Sequence, residues 1–341
     1  MRRAPLLVVA LGLVAFALVV TRADARIRPQ RERRAREPAL DAAPAVDAAP
    51  ALDAPPAQDP GAVRACPSTL PEGLACVAGG SFVRGSLDGL PDERPLATVT
   101  VDTFLMDVHE VTNADYERCI EAGYCNRPIP FRGYMRPRQP KVGVSWYDAS
   151  AYCAVVGERL PTEMEFERAS GGPTSTRFPW GDEARPCTHS VVETSDGKGC
   201  GRGTTWEVMS TPVGYWGLYE ISGNVWEWVQ DWYSTSYAAC GASCEGRNPR
   251  GLCDGADLCP QARAQKSVRG GSWWYPISRA TSHARRGAGA PNRGPHRFGF
   301  RCARDLDAPA TPPVPVPSPG SRLGPPFHAM GRPHHDTPAQ P

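Results

Sequence analysis

The chain has 341 residues, 41% of them hydrophobic, and a formal net charge of +2. That balance gives no electrostatic case for nucleic acid as a partner, and lysine occurs only at positions 141, 198 and 266, so the cationic side is almost all arginine. With 34 Gly and 37 Pro much of the backbone must be loop or tail, yet the length still allows one sizeable core.

Residues 1–25 read as a signal peptide. Arg2 and Arg3 precede an apolar run from Pro5 to Val20, and Ala23-Asp-Ala25 offers small residues for cleavage. The alternative is an uncleaved anchor that tethers the chain to a membrane, because Arg26, Arg28, Arg31, Arg33, Arg34 and Arg36 follow directly. Either way the expected location is exported, periplasmic or extracellular, or else anchored at the inner membrane. Residues 26–63 are a linker, first basic and then rich in Ala, Pro and Asp, and residues 306–341 are a second Pro-rich segment, expected to be disordered. Its His328, His334 and His335 are too scattered to read as a metal site.

Residues 64–305 form the expected folded domain. All 12 cysteines fall inside it, and several are sequence neighbours: Cys66 and Cys76, Cys119 and Cys125, Cys187 and Cys200, Cys240 and Cys244, Cys253 and Cys259. None has Cys-x-x-Cys spacing, so clamps on loops are favoured over zinc or redox motifs.

Ala97–Val101 alternates like a half-covered strand, and Phe104-Leu-Met106 continues into a more buried one. His109-Glu110 starts like a zinc protease motif, but Asn113 stands where the second His should be. Thr112-Asn-Ala-Asp115, Ser145-Trp-Tyr-Asp148 and Thr162-Glu-Met-Glu165 are capping boxes that start three helices, with Gly123, Gly157 and Gly171 as stops. Capping also accounts for Glu165 better than an acid–base pairing with Glu163 does.

The central stretch runs from Gly217 to Trp232, with Trp226, Trp228 and Trp232 in it. Three tryptophans in one short segment point to a buried loop. Glu220 and Glu227, with main-chain carbonyls between them, would suit the oxygen shell of calcium; equally, they could be core carboxylates that accept backbone N–H groups. Further on, Arg279, Arg285, Arg286, Arg293, Arg297 and Arg301 could line an anion site, although the Gly and Pro between them suggest a solvated loop.

Gly217-Leu-Tyr with Gly223-Asn-Val-Trp-Glu-Trp228 resembles the signature of the formylglycine-generating enzyme, or sulfatase-modifying factor, family. Gly79-Gly-Ser-Phe82, Glu110-Val-Thr-Asn113, Arg159-Leu-Pro-Thr-Glu163, Pro179-Trp-Gly-Asp182, Arg269-Gly-Gly-Ser-Trp273 and Gly299-Phe-Arg-Cys302 follow in the family's order. The resemblance implies an α+β, C-type-lectin-like fold with little regular secondary structure, disulfide-clamped loops and a bond between Cys153 and Cys302. It implies structural calcium on Glu220 and Glu227 with main-chain oxygens of Ile221, Gly223 and Val225, and makes a second calcium site doubtful, since Thr188-His-Ser-Val191 stands where an asparagine is expected.

Catalytic members of that family bind copper(I) through two cysteines five residues apart, after the Gly-Gly-Ser-aromatic motif. Counting from Ser272, those positions here hold Tyr275 and Ala280, so copper is not expected. Ser272 remains as a pocket candidate. The resulting expectation is an exported binding or scaffold module for an unknown protein or peptide ligand. The alternative is an oxidase that converts a substrate cysteine of the sulfatase type to formylglycine.

Overall fold

The computed structural model describes residues 63–262 and 265–308. The signal or anchor segment, almost all of the linker and most of the Pro-rich tail lie outside the described residues. Among the described residues no helix is long and apolar enough to cross a membrane.

In chain order the domain has strands β1 (Leu74–Val77), β2 (Gly80–Arg84), β3 (Ala97–Val101) and β4 (Phe104–Asp107). Helices α1 (Asn113–Glu121), α2 (Trp146–Val155) and α3 (Glu163–Gly171) come next, then β5 (Trp226–Trp232) and the single-turn α4 (Tyr237–Cys240). Short strands close the chain: β6 (Gly246–Arg247), β7 (Lys266–Arg269), β8 (Arg285–Gly287), β9 (Phe298–Gly299) and β10 (Ala303–Asp305). Long ordered loops join them, so the mixed helix-and-sheet fold has little regular structure.

The strands make three small sheets, ordered β1-β4-β10, β2-β3-β6 and β8-β7-β5-β9. In the first, β1 and β10 both pair antiparallel with β4, which brings the two ends of the domain onto one strand. In the third, β5 lies between antiparallel β7 and parallel β9. Its side chains alternate between two hydrophobic clusters. Val229 packs with Phe82, Val101, Phe104 and Phe166, whereas Trp226 and Trp228 pack with Tyr116, Tyr152, Phe298 and Phe300.

All three helix starts are reciprocal capping boxes. At α3, for example, Thr162 Oγ1 accepts from Glu165 N at 3.2 Å while a Glu165 carboxylate oxygen accepts from Thr162 N at 2.7 Å. Gly123 and Gly157 take positive φ just past α1 and α2. At α3 the stop lies one residue beyond the predicted glycine: Gly171 is still helical, and Gly172, with φ of 65°, ends it.

Six disulfides use all twelve cysteines, and none is free. Five close loops of 4 to 13 residues. The sixth, Cys153–Cys302, spans 149 residues and ties α2 to the residue before β10.

The solvated-loop reading of the arginine run is corrected for two members. Arg285 and Arg301 are fully buried, and each is paired with a buried carboxylate, Glu163 and Glu227 respectively. Spacing by Gly and Pro indicates a loop, but not whether the loop is threaded through the core.

Candidate functional site

The loop before β5 is shaped by left-handed residues: Gly217, Glu220, Gly223 and Asn224 all have positive φ. Gly223 has no alternative, since a Cβ there would lie 2.8 Å from both Val191 N and Val191 O. Asn224 is completely buried and joins three loops. Its Nδ2 donates to Glu110 Oε2 at 3.0 Å, its Oδ1 accepts from Trp206 N at 3.0 Å, and its carbonyl accepts from Trp273 N at 2.9 Å.

Around Asn224 sit the carboxylates singled out in the sequence. Glu220 accepts from the backbone N–H groups of Met209, Ser210 and Thr211 at 2.8 to 2.9 Å, and from the Thr211 hydroxyl at 3.0 Å. Glu227, on β5, accepts from Arg301 through both oxygens, Nε to Oε2 at 2.8 Å and Nη2 to Oε1 at 2.9 Å, with both residues fully buried. Burial pushes the Glu227 carboxyl up, against the pull of Arg301. The set Glu220, Ile221, Gly223, Val225 and Glu227 therefore does not fit calcium as arranged. Glu227 already faces a buried guanidinium and Glu220 three backbone amides, so as arranged both are core carboxylates satisfied by N–H donors.

Glu110 is the carboxylate that sequence reasoning missed. It is fully buried, and its Oε1 has no hydrogen-bond partner. Burial, then the charges of Glu220 and Glu227, hold it well above the usual carboxylate range. Its signals in the sequence are the dipeptide His109-Glu110, which reads first as a broken zinc motif, and the run Glu110-Val-Thr-Asn113, which carries the family resemblance without giving the carboxylate a role.

The Gly-Gly-Ser loop lies beside this cluster. Gly270 and Gly271 have φ of 89° and 79°, and a Cβ on Gly271 would lie 2.5 Å from Arg279 O and 2.6 Å from Ala280 Cα. That close approach brings positions 272 and 280 into one loop. Ser272 is 1% exposed, with Trp274 N 3.5 Å from its Oγ. Among the described residues its hydroxyl is bonded to no titratable side chain, so it forms no nucleophile–base pair. Tyr275 stacks edge-on against Trp226 at 6.1 Å and takes a hydrogen bond from Arg286 on its hydroxyl; Ala280 is buried under Gly271. These residues do not fit copper(I), which needs soft thiolates, and every thiol of the chain is already in a disulfide.

Around Ser272 the surface is aromatic. His296 lies 5.4 to 5.8 Å from the rings of Tyr134, Trp273 and Trp274, and Lys198 Nζ sits 2.9 Å above the Trp274 ring. A groove of about 490 Å³ adjoins it, with Pro128, Pro130, Phe131, Tyr134 and Met135 in its wall. Glu163 and Glu165 are not an acid–base pair: Glu165 caps α3, and Glu163 bonds Arg285 and Arg269. Burial pushes Glu163 up, but Arg285 and Arg269 outweigh it and hold the group below its ordinary value.

Residues 61–306 match the family described as the sulfatase-modifying factor enzyme 1-like domain. A serine/threonine-protein kinase pkn1 of Chlamydia pneumoniae is 34% identical over 258 residues, 69% of this chain; the match spans only 38% of that relative's length. A formylglycine-generating enzyme of Thermomonospora curvata is 30% identical over 303 residues, which cover 71% of this chain and 96% of the enzyme. Among solved structures, PvdO from Pseudomonas aeruginosa superposes with a TM-score of 0.57 at 28% identity, over 68% of this chain and 94% of that one.

Proposed function

Since the chain belongs to the sulfatase-modifying factor enzyme 1-like family, we propose that its domain is an exported, non-catalytic binding module on that scaffold. One observation carries this reading: the loop from Gly270 to Ala280 has Tyr275 and Ala280 where the family resemblance places thiolates, and all twelve cysteines are committed to disulfides. A phenol hydrogen-bonded to Arg286 and a buried methyl supply no ligand for copper(I). Six disulfides also suit an oxidising compartment, in keeping with residues 1–25 as a signal or a membrane tether.

The ligand we assign is an extended peptide segment of a protein partner. Aromatic rings at Tyr134, Trp274 and His296, together with the groove past Phe131 and Met135, offer apolar contact, and Glu117, Arg118, Glu121, Arg127 and Lys141 in the same lining offer charged partners for a peptide's polar groups. Copper(I) titration of the purified chain, run beside an assay for formylglycine on a Cys-x-Pro-x-Arg peptide, tests the reading. No stoichiometric copper site and no cysteine oxidation are expected, while peptides selected on the wild-type chain should lose affinity for Trp274→Ala. Oxidation that survives removal of adventitious metal would establish the oxidase reading instead.

A further inference from the structure

A second cleft, of about 710 Å³, lies between the β2–β3 connection and the loops around residues 174–182 and 278–283. It shares no lining residue with the aromatic groove, so a ligand here is independent of the function proposed for that groove. Its wall carries Val83, Leu87, Leu90 and Leu96, exposed by 46, 63, 45 and 38%. Large apolar side chains gathered at one cavity and left facing water mark a binding surface better than a packing accident.

Ser86, Ser175 and Asp182 in the lining accept backbone N–H groups, whereas two charged groups of the cleft each keep an unpaired atom. Glu93 is 2% exposed, and its Oε2 has no hydrogen-bond partner; His283 Nε2 approaches only to 3.7 Å, and burial lowers that ring's proton affinity, leaving it neutral near pH 7. Gly89 packs directly on this oxygen, where any Cβ would collide with it. Arg279, in the same lining, has Nη1 buried without a partner, while its Nη2 donates to Arg285 O at 3.3 Å. A buried acceptor and a buried donor of opposite charge are thus both unsatisfied beside an apolar wall, and an isolated polar group of either kind is costly to leave so.

We propose that this cleft binds a free α-amino acid with an apolar side chain, its ammonium on Glu93, its carboxylate on Arg279 and its side chain against Leu87, Leu90 and Leu96. One ligand then satisfies both orphan atoms and covers the exposed leucines. Burial raises Glu93 to about 7, with Arg269 and Arg279 pulling it down, Asp92 pushing it up and the Leu90 amide pulling it down. His283, Arg177, Asp182 and Asp88 are the other charged or titratable groups facing the cleft. The ammonium needs the ionised carboxylate, so binding is fully developed above pH 7 and weakens below it, by about tenfold from pH 8 to pH 6.

Calorimetry on the full, disulfide-bonded chain with L-leucine, leucinamide and 4-methylpentanoate tests this. Leucine should bind at one saturable site, and each singly charged analogue should bind about tenfold or more weakly. Glu93→Gln should weaken leucine and leucinamide, remove the pH dependence and leave 4-methylpentanoate unchanged; Arg279→Gln should weaken leucine and 4-methylpentanoate and spare leucinamide. If Glu93→Gln fails to fold, Arg279→Gln decides alone. No saturable leucine binding to the wild-type chain, or undiminished binding by the variants that fold, overturns the proposal.

Discussion

At the scale of single residues, the weightiest interactions of this domain are buried ion pairs. Glu163 sits between Arg285 and Arg269, and Glu227 faces Arg301, with each of these side chains at most 1% exposed. Such a pair adds little net stability when intact, but removing one charge leaves its partner buried alone. Glu227→Gln is therefore expected to destabilise the domain by about 3–5 kcal/mol in denaturant unfolding. The loss should be the same in chelator and in millimolar calcium, because the guanidinium of Arg301 already occupies the carboxylate. A calcium-dependent midpoint in the wild-type chain, absent from the variant, would restore the calcium site expected from the sequence.

At the scale of elements, glycines set the loops that regular structure does not. Gly271 and Gly217 have nearly the same φ, 79° and 82°, but different surroundings: a Cβ on Gly217 meets nothing within 4 Å, while one on Gly271 runs into Arg279 O and Ala280. Gly217→Ala should cost only the left-handed penalty, about 1–2 kcal/mol. Gly271→Ala should cost clearly more, because the 279–280 backbone must move as well. Thermal melts of the two variants compare them directly, and equal losses would mean that the Gly-Gly-Ser loop is slack. The leucine cleft depends on the same loop, since Arg279 reaches it from the turn that Gly271 packs against.

At the scale of the whole molecule, few regular elements hold the chain, so covalent closure matters. The β1-β4-β10 sheet brings the domain's ends together, and the Cys153–Cys302 bond ties its C-terminal end to α2 in the middle of the chain. In the chain-entropy account a loop of this length contributes about 5 kcal/mol and a four-residue loop about 2 kcal/mol. The double substitution Cys153→Ala with Cys302→Ala should thus lower the unfolding free energy more than Cys240→Ala with Cys244→Ala, as measured by urea titration. A smaller loss for the long loop would point to residual structure in the unfolded chain.

The features legible in the chain alone were local or carried by whole motifs. The capping boxes at Thr112, Ser145 and Thr162 and the alternation of Ala97–Val101 were readable because cap chemistry and the two-residue strand period need only neighbours in the chain. Family membership was readable because many short motifs recur in one order. Packing, by contrast, assigned each charged group its role. Whether Glu227 meets a cation from solution or Arg301 depends on side chains 74 residues apart, as does whether Arg285 faces water or Glu163, 122 residues away. The orphaned Glu93 and Arg279 in one cleft are likewise a product of distant loops, because burial and pairing belong to the packed molecule and leave no period or spacing in the chain.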